Sequence, residues 1–463
     1  MSKRDTNNIK KQELKDCFVP RNDNQDVITN GVKQSTHKKE IASARLLRTS
    51  QQELRNDVRV PKLRFKEFND EWKQNKLGEV SSKVSYGMNA AAISFDGKHK
   101  YLRITDIDEN TREFRAKPLT SPDGLIEDKF KMKLNDIVFA RTGASTGKSY
   151  LYKPNDGDLY YAGFLIKFNI TKANSYFIYA QTFRESYNKW VQVYSMRSGQ
   201  PGLNAEEYKN LKLNIPSLQE QQKIASFLTE VDTKIQQLTR KKELLENYKK
   251  GAMQQLFSQQ LRFKNDDGTD FSDWEEKKLG EVFKIFNGYA FSSKDSKDKG
   301  VLWVKIADVG IQKMKKNNIS FLPNSFFEKY KKFILETGDY VIALTRPILN
   351  GKLKIARINE YFNNSLLNQR VGKIITKNNK DFVYFLLQQD FLIKSIENNI
   401  AGSDPPNLSP SEINNLKVLI PSLKEQQKIA NYLSAIDTKI ENVQTQIEKT
   451  QAFKKGLLQQ LFV

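Results

Sequence analysis

The chain has 463 residues, enough for two to four domains, with 76 Lys and Arg against 54 Asp and Glu and a net charge of +22. One Cys (Cys17) excludes an internal disulfide, and with two His (His37, His99) the usual zinc ligands cannot be assembled. Mean hydropathy is −0.64. No apolar run approaches the roughly 18 residues of a membrane span, and MSKRDTNNIKKQEL lacks the apolar core of a secretory signal. A soluble, intracellular protein is expected. Its 28 Phe, 18 Tyr and 4 Trp suffice for real cores, and its charge points to a polyanion, nucleic acid above all. The bland alternative is a generally basic soluble protein.

In chain order, residues 1–60 form a polar extension rich in Asn, Gln, Lys and Arg. It is expected to be mobile, with one short helix around 38–55. Residues 61–210 are dense in β-branched and aromatic residues between polar turns. Strands are expected at 100–107, 136–141 and 160–170 and a helix at 175–193. Residues 211–260 carry a long helical pattern. Residues 261–415 return to strands, at 302–309 and 339–344, with a helix at 380–398. Residues 416–463 carry a second long helical pattern. The fold class is α+β, with two globular domains alternating with two long helices.

The chain is written twice. IPSLQEQQKIASFLTEVDTKI (215–235) returns as IPSLKEQQKIANYLSAIDTKI (420–440), with 15 of 21 positions identical at an offset of 205. KKGAMQQLF (249–257) returns as KKGLLQQLF (454–462) at the same offset. LRFKEFNDEWKQNKLGEV (63–80) corresponds to LRFKNDDGTDFSDWEEKKLGEV (261–282), pairing Trp72 with Trp274. Between these anchors the halves diverge.

In the first repeated block apolar residues fall at Ile224, Leu228, Val231, Ile235, Leu238, Leu245, Ala252 and Leu256, with Lys242 and Lys249 in the missing seam positions. The second has Ile429, Leu433, Ile436, Ile440, Val443, Ile447, Leu457 and Leu461. This alternation of four and three is a heptad seam, and packing the two helices on each other is the economical way to bury it. The alternative is that each buries its seam on its own globular domain. Ser217-x-x-Glu220 and Ser422-x-x-Glu425 read as capping boxes. About 40 residues give a rod about 60 Å long.

In the variable segments, polar and cationic residues cluster in turns. The first set is Tyr86, Asn89, Arg103, Arg141, Ser145, Thr146, Lys148, Arg197 and Gln200. The second is Tyr289, Lys305, Arg346, Asn350, Lys352, Asn368, Gln369 and Arg370. Arg and Lys pair with guanine edges, Asn and Gln with adenine edges, and all reach phosphates. The competing reading is ordinary solvated loops.

Three motifs resemble catalytic ones and fail in detail. Gly143-Ala-Ser-Thr-Gly-Lys-Ser149 has three residues between its glycines where a phosphate loop needs four. Asp404-Pro-Pro-Asn407 lacks the aromatic fourth residue of amino-methyltransferases. Pro122-Asp123 with Glu127-x-Lys129 places its carboxylates too close in sequence for a nuclease metal site. No catalytic or metal residue is therefore assigned, which favours a binding protein.

Two divergent domains, each followed by a helix opening IPSLxEQQKIA and closing KKGxxQQLF, resemble the specificity (S, HsdS) subunit of bacterial Type I restriction–modification systems. The resemblance covers residues 61–463 and excludes the extension. It implies target recognition domains at 61–210 and 261–415, central and distal helical regions at 211–260 and 416–463, and a pseudo-two-fold arrangement with the helices as an antiparallel coiled coil. Each domain would read one half of an asymmetric bipartite duplex site, and the helices would set the spacer. The implied partners are double-stranded DNA, two modification (methyltransferase) subunits and restriction subunits, in the bacterial cytoplasm. S-adenosylmethionine, ATP and Mg would be bound by those partners and none by this chain. A basic adaptor binding nucleic acid without sequence preference is the alternative. A lone enzyme is the third.

Overall fold

The computed structural model describes residues 18–20, 60–196, 199–400 and 405–463. Two compact units emerge: Met1–Gln237 with Ile447–Val463, and Leu238–Gln446. Packing therefore divides the chain differently from the repeat. Each unit joins one variable segment to a stretch of both long helices.

The first unit is built on four strands, β1 (Ser81–Tyr86), β2 (Asp136–Ala140), β3 (Ser149–Leu151) and β4 (Leu165–Ile170), in the order β1-β4-β2-β3. All neighbours are antiparallel. The period of two sorts the side chains. Ile137 and Phe139 of β2 enter the larger core, whereas Val138 and Ala140 face a smaller cluster with Leu102, Ile107, Tyr150 and Tyr161. The larger core contains helix α1 (Ser175–Gln181), whose first turn is capped by the Asn174 carboxamide accepting from Phe177 N at 2.9 Å. It also contains Ile224 and Leu228 from the start of α2 (Leu218–Phe257), and Leu457, Leu461 and Phe462 from the chain's end.

The second unit repeats this plan. Its strands β5 (Lys284–Asn287), β6 (Tyr340–Ala343), β7 (Ile355–Arg357) and β8 (Val371–Ile375) lie in the order β5-β8-β6-β7, again antiparallel. Helix α3 (Lys380–Leu386) is capped by Asn379. Ile429 and Leu433 of α4 (Leu423–Gln460) share a core with Trp274, Phe382 and Leu256 of α2. In each unit the start of one long helix meets the end of the other, so the pairing is antiparallel. Each seam is thus buried on a globular domain and on the partner helix together. Val231, Leu238, Ile436, Val443 and Ile447 are buried, while Ile235, Leu245 and Ile440 are half-buried.

The helices span 40 and 38 residues, as the heptads predict. Lys249 sits in the seam as expected and pairs with Asp437 at 2.6 Å, and Lys454 pairs with Asp232 at 2.6 Å. The capping boxes are half made. Ser217 and Ser422 accept from the N–H of Glu220 and Glu425 at 3.4 Å. The two Glu side chains are engaged elsewhere. Glu220 takes a fork from Arg64 (2.8 and 2.7 Å) and the Trp72 indole N–H at 3.3 Å. Glu425 takes the same from Arg262 (3.1 and 2.9 Å) and Trp274 at 3.2 Å.

Several elements are shorter than the sequence suggests. The strand expected at 100–107 is Lys100–Leu102 followed by a 3-10 turn at Ile104–Asp106, and that at 302–309 is Val301–Val304 followed by Ile306–Asp308. In both, an Asp carboxylate accepts the N–H three residues back, Arg103 (2.9 Å) or Lys305 (2.8 Å), and curls the chain out of the sheet. The segment 160–170 is two strands, Leu159–Tyr161 and Leu165–Ile170. The helix at 175–193 breaks after Gln181, where the Thr182 hydroxyl donates to Tyr179 O at 2.7 Å, and resumes at Glu185–Ser195. That at 380–398 divides into Lys380–Leu386 and Asp390–Ile400. In the extension, Phe18–Pro20 pairs antiparallel with Leu63–Phe65, and the helix expected around 38–55 lies outside the described residues.

Candidate nucleic-acid interface

In the first unit five of the expected residues converge at one end of the sheet. The Arg141 guanidinium lies over the Tyr86 ring, 5.0 Å from its centroid, and the Tyr86 hydroxyl accepts from Ala205 N at 3.1 Å. The strand β2 then turns through Gly143–Ser145. Gly143 N donates to Pro201 O at 2.9 Å, and the Thr146 hydroxyl donates to Gly143 O at 2.7 Å. Gln200 closes against Gly143, whose added Cβ would lie 2.9 Å from the Gln200 amide. Tyr86, Arg141, Ser145, Thr146 and Gln200 thus form one polar, cationic edge. Asn89 is exposed beyond β1. Gly87 makes this approach possible, because a Cβ there would lie 2.2 Å from Ala162 O.

Two residues in the first set are committed internally. Arg103 forks onto Asp106 at 2.9 and 2.8 Å, which leaves it half-buried. Lys148 is buried, donates to Ile107 O at 3.3 Å and pairs with Glu109. Arg197 lies outside the described residues.

The second unit places its residues on the same frame in a different register. Arg346 N donates to Pro406 O at 2.7 Å, as Gly143 does to Pro201, so Arg346 occupies the position of Gly143 and Leu344 that of Arg141. Both Gly143 (φ 73°) and Arg346 (φ 47°) are left-handed. Arg370 is exposed, and its carbonyl accepts from Leu344 N at 2.9 Å. Tyr289 takes the place of Met88 rather than Tyr86 and packs against Tyr330, the rings tilted at 42° with centroids 4.5 Å apart. The Tyr330 hydroxyl bonded to it raises its phenol above the ordinary range. Gln369 and Asn350 are exposed. Lys305 is half-buried with its ammonium 5.7 Å from the Trp303 ring.

Asn368 is buried, with its carboxamide oxygen accepting from Arg370 N at 3.1 Å. Lys352 is half-buried and pairs with Asp390 at 2.8 Å; this hydrogen bond lowers the Asp390 carboxyl. Sequence reasoning missed Lys354 and Lys315, which have no carboxylate partner among the described residues. Lys354 lies 15 residues after Asp339 where Lys148 lies 12 after Asp136, so spacing alone does not pair the two lysines.

The rejected motifs take ordinary structural forms. The 143–149 segment is a turn between two strands, and Glu127 pairs with Lys129 at 2.7 Å. Asp404 lies outside the described residues. Among the described residues no group of three or more His, Cys, Asp or Glu could hold a metal, and no helix is long and apolar enough to cross a membrane.

The family model for the Type I restriction modification DNA specificity domain matches the chain twice, at residues 69–247 and 271–451, well over half its length. The chain is 28% identical over 402 residues to the Type I restriction enzyme MjaVIII specificity subunit of Methanocaldococcus jannaschii, covering 84% of this chain and 91% of that one. It is 30% identical over 169 residues to the EcoAI specificity subunit of Escherichia coli, covering 36% of this chain and 28% of that one. The crystal structure of the Type I restriction–modification S subunit from M. genitalium matches its fold with a TM-score of 0.57 at 18% identity, covering 87% of this chain and 99% of that one. Two copies of the domain on two units of one plan leave a single conclusion: the chain belongs to the family of Type I restriction–modification specificity subunits.

Proposed function

We propose that this chain selects the DNA sequence for a Type I restriction–modification complex. Each variable domain reads one half of an asymmetric bipartite duplex site, and the paired helices hold the half-sites at a fixed spacing. The observation that carries this reading is the double match to the specificity domain, laid over two sheets of identical strand order whose edge residues differ. A shared frame with Arg141 on one strand end and Arg346 and Arg370 on the other suits two different half-sites. The net charge of +22 supplies sequence-independent attraction to phosphates.

In this reading the chain performs no chemistry. Two modification subunits dock on it in the cytoplasm and methylate adenine with S-adenosylmethionine, and restriction subunits add ATP- and Mg-dependent translocation and cleavage. The test is methylome sequencing of a host carrying the modification subunit with and without this chain. A bipartite, asymmetric adenine-methylated motif that disappears without the chain is expected. A complex that assembles normally while no motif depends on the chain would overturn the reading and favour an adaptor without sequence preference.

A further inference from the structure

One lysine occurs at the same place in both sheets, and its surroundings differ. Ala140 N donates to Lys148 O in the first unit, and Ala343 N donates to Lys354 O in the second, both at the end of the strand that opens the variable turn. The neighbouring hairpin is also shared, since Arg115 N bonds Asp106 O and Lys315 N bonds Asp308 O, each at 2.7 Å. In the first unit this hairpin closes from Asp108 N to Glu113 O and carries Asp108, Glu109 and Glu113. Glu109 neutralises Lys148, and Glu113 pairs with Arg115 and Lys153 at 3.1 Å.

In the second unit the hairpin is two residues shorter, closing from Gly310 N to Lys313 O. Its sequence, Gly310-Ile-Gln-Lys313, has no acid, and Ile311 stands where Glu109 stood. Gln312 N donates to Ile355 O at 2.9 Å and Lys354 N to Pro347 O at 2.7 Å, which brings the hairpin and the Arg346 turn to the two sides of Lys354. Lys354 therefore lies within the fields of Lys315 and Arg346, and none of the three is paired with a carboxylate among the described residues. Arg346 adopts a left-handed backbone there, a conformation that favours glycine. Burial, and then the charges of Lys315 and Arg346, pull the Lys354 ammonium below the ordinary lysine range. Two cations beside a half-buried amine, with no carboxylate answering them among the described residues, call for an anion to offset them.

We infer that Lys315, Arg346 and Lys354 form a phosphate site that takes one phosphodiester of the bound duplex, and that the first unit has closed the equivalent site with Glu109. This deepens the proposed function and rests on it. Phosphate contacts hold a protein in register on DNA without reading sequence. The second domain would thus be held by the backbone at a point where the first is not.

The test uses the full chain and two fluorescent duplexes, one carrying the methylated motif and one scrambled, titrated at several salt concentrations. Lys354→Gln and Lys315→Gln should weaken binding to both duplexes equally and reduce the slope of log K against log salt by about 0.9 for each phosphate no longer neutralised. Ile311→Glu, which restores the first unit's acid, should do the same, and Lys417→Gln, which removes a lysine paired with Glu276 at 2.7 Å, should change nothing. Thermal melts should show Lys354→Gln folded, since it loses no internal partner. Single methylphosphonates walked along the duplex should find one position that costs the wild type and not Lys354→Gln. An unchanged salt slope in Lys354→Gln overturns the site while leaving the functional reading intact. Orthophosphate at fixed ionic strength should lower wild-type affinity towards that of Lys354→Gln and leave the variant unchanged; orthophosphate bound by the wild type and not by Lys354→Gln, with duplex affinity and salt slope the same in both, overturns the duplex as its occupant. Failure of the wild type to prefer the motif strikes the functional reading instead, because the slope on scrambled DNA still reports the site.

Discussion

Where each variable domain meets the start of its long helix, the two units share one set of buried bonds; at the sheet ends they part. Glu220 and Glu425 are both almost fully buried, and each holds an Arg fork and an indole N–H. The next residue repeats as well. Gln221 accepts from Asn174 N (2.9 Å) and donates to Pro216 O (2.9 Å), and Gln426 does the same with Asn379 N (3.0 Å) and Pro421 O (2.9 Å). The Glu-Gln pair of IPSLxEQQ therefore ties helix, entry strand and capping residue together, and a change to either would orphan several buried groups. At the sheet ends few internal bonds depend on side-chain identity, so Arg141 and Leu344 serve equally well as backbone. The repeat and the divergence have one cause, the number of partners each side chain satisfies.

The largest effects should appear at this joint. Glu220→Ala leaves the Arg64 charge buried and is expected to cost about 3–5 kcal/mol in urea unfolding. Glu425→Ala should cost less, about 2–3 kcal/mol, because Arg262 is 23% exposed against 9% for Arg64 and water can take over. Equal losses would show that burial of the Arg does not set the difference. Next come Leu228→Ala and Leu433→Ala, both at 0% exposure in matching places. Each should cost about 2–5 kcal/mol, with both measured by the same unfolding series. Well-separated values would mean that the two seams are not packed alike.

The architecture was legible because repeat and heptad are long patterns that tertiary contacts reinforce. The long helices, Asp136–Ala140 and the seam lysine Lys249 could all be located from spacing. The broken strands at Arg103 and Lys305 could not, since one Asp three residues on outweighs β propensity there. The Ser217 and Ser422 boxes were half right for a similar reason. Their Glu side chains found an Arg and a Trp about 150 residues away, which no local motif encodes. The edge residues were recognised by type, but their partnering was not. Lys148 and Lys352 carry the same charge as Lys354, and only the fold shows which of them an acid answers.

Smaller effects probe single differences between the units. Arg103 forks onto both oxygens of Asp106, whereas Lys305 leaves one oxygen of the buried Asp308 without a partner. Burial raises the Asp308 carboxyl above its ordinary value. The stability linked to its protonated form is complete below the unfolded pKa of about 4 and is lost as pH rises through the folded value. Lys305→Arg, copying the first unit, should restore the fork. The expected gain is about 1 kcal/mol at neutral pH, with a flatter stability profile above about pH 4. An unchanged profile would mean that the guanidinium does not reach the orphan oxygen.

The smallest expected change is at Arg346, where the second unit sets a side chain on a left-handed turn that the first gives to Gly143. Arg346→Gly relieves a backbone cost of about 1–2 kcal/mol and adds about 0.5–1 kcal/mol of chain entropy to be lost on folding, a net gain of about 0.5–1 kcal/mol. The same change removes one cation from beside Lys354, so duplex binding should weaken and its salt slope should fall as stability rises. Gly143→Ala should lose about 1 kcal/mol and leave the salt slope alone, because the only close neighbour of the new Cβ is the movable end of Gln200. Opposite movement of stability and binding at Arg346 would mark its strain as retained for the anion. If binding stayed constant while stability rose, the turn would be a structural difference between the two sheets and nothing more.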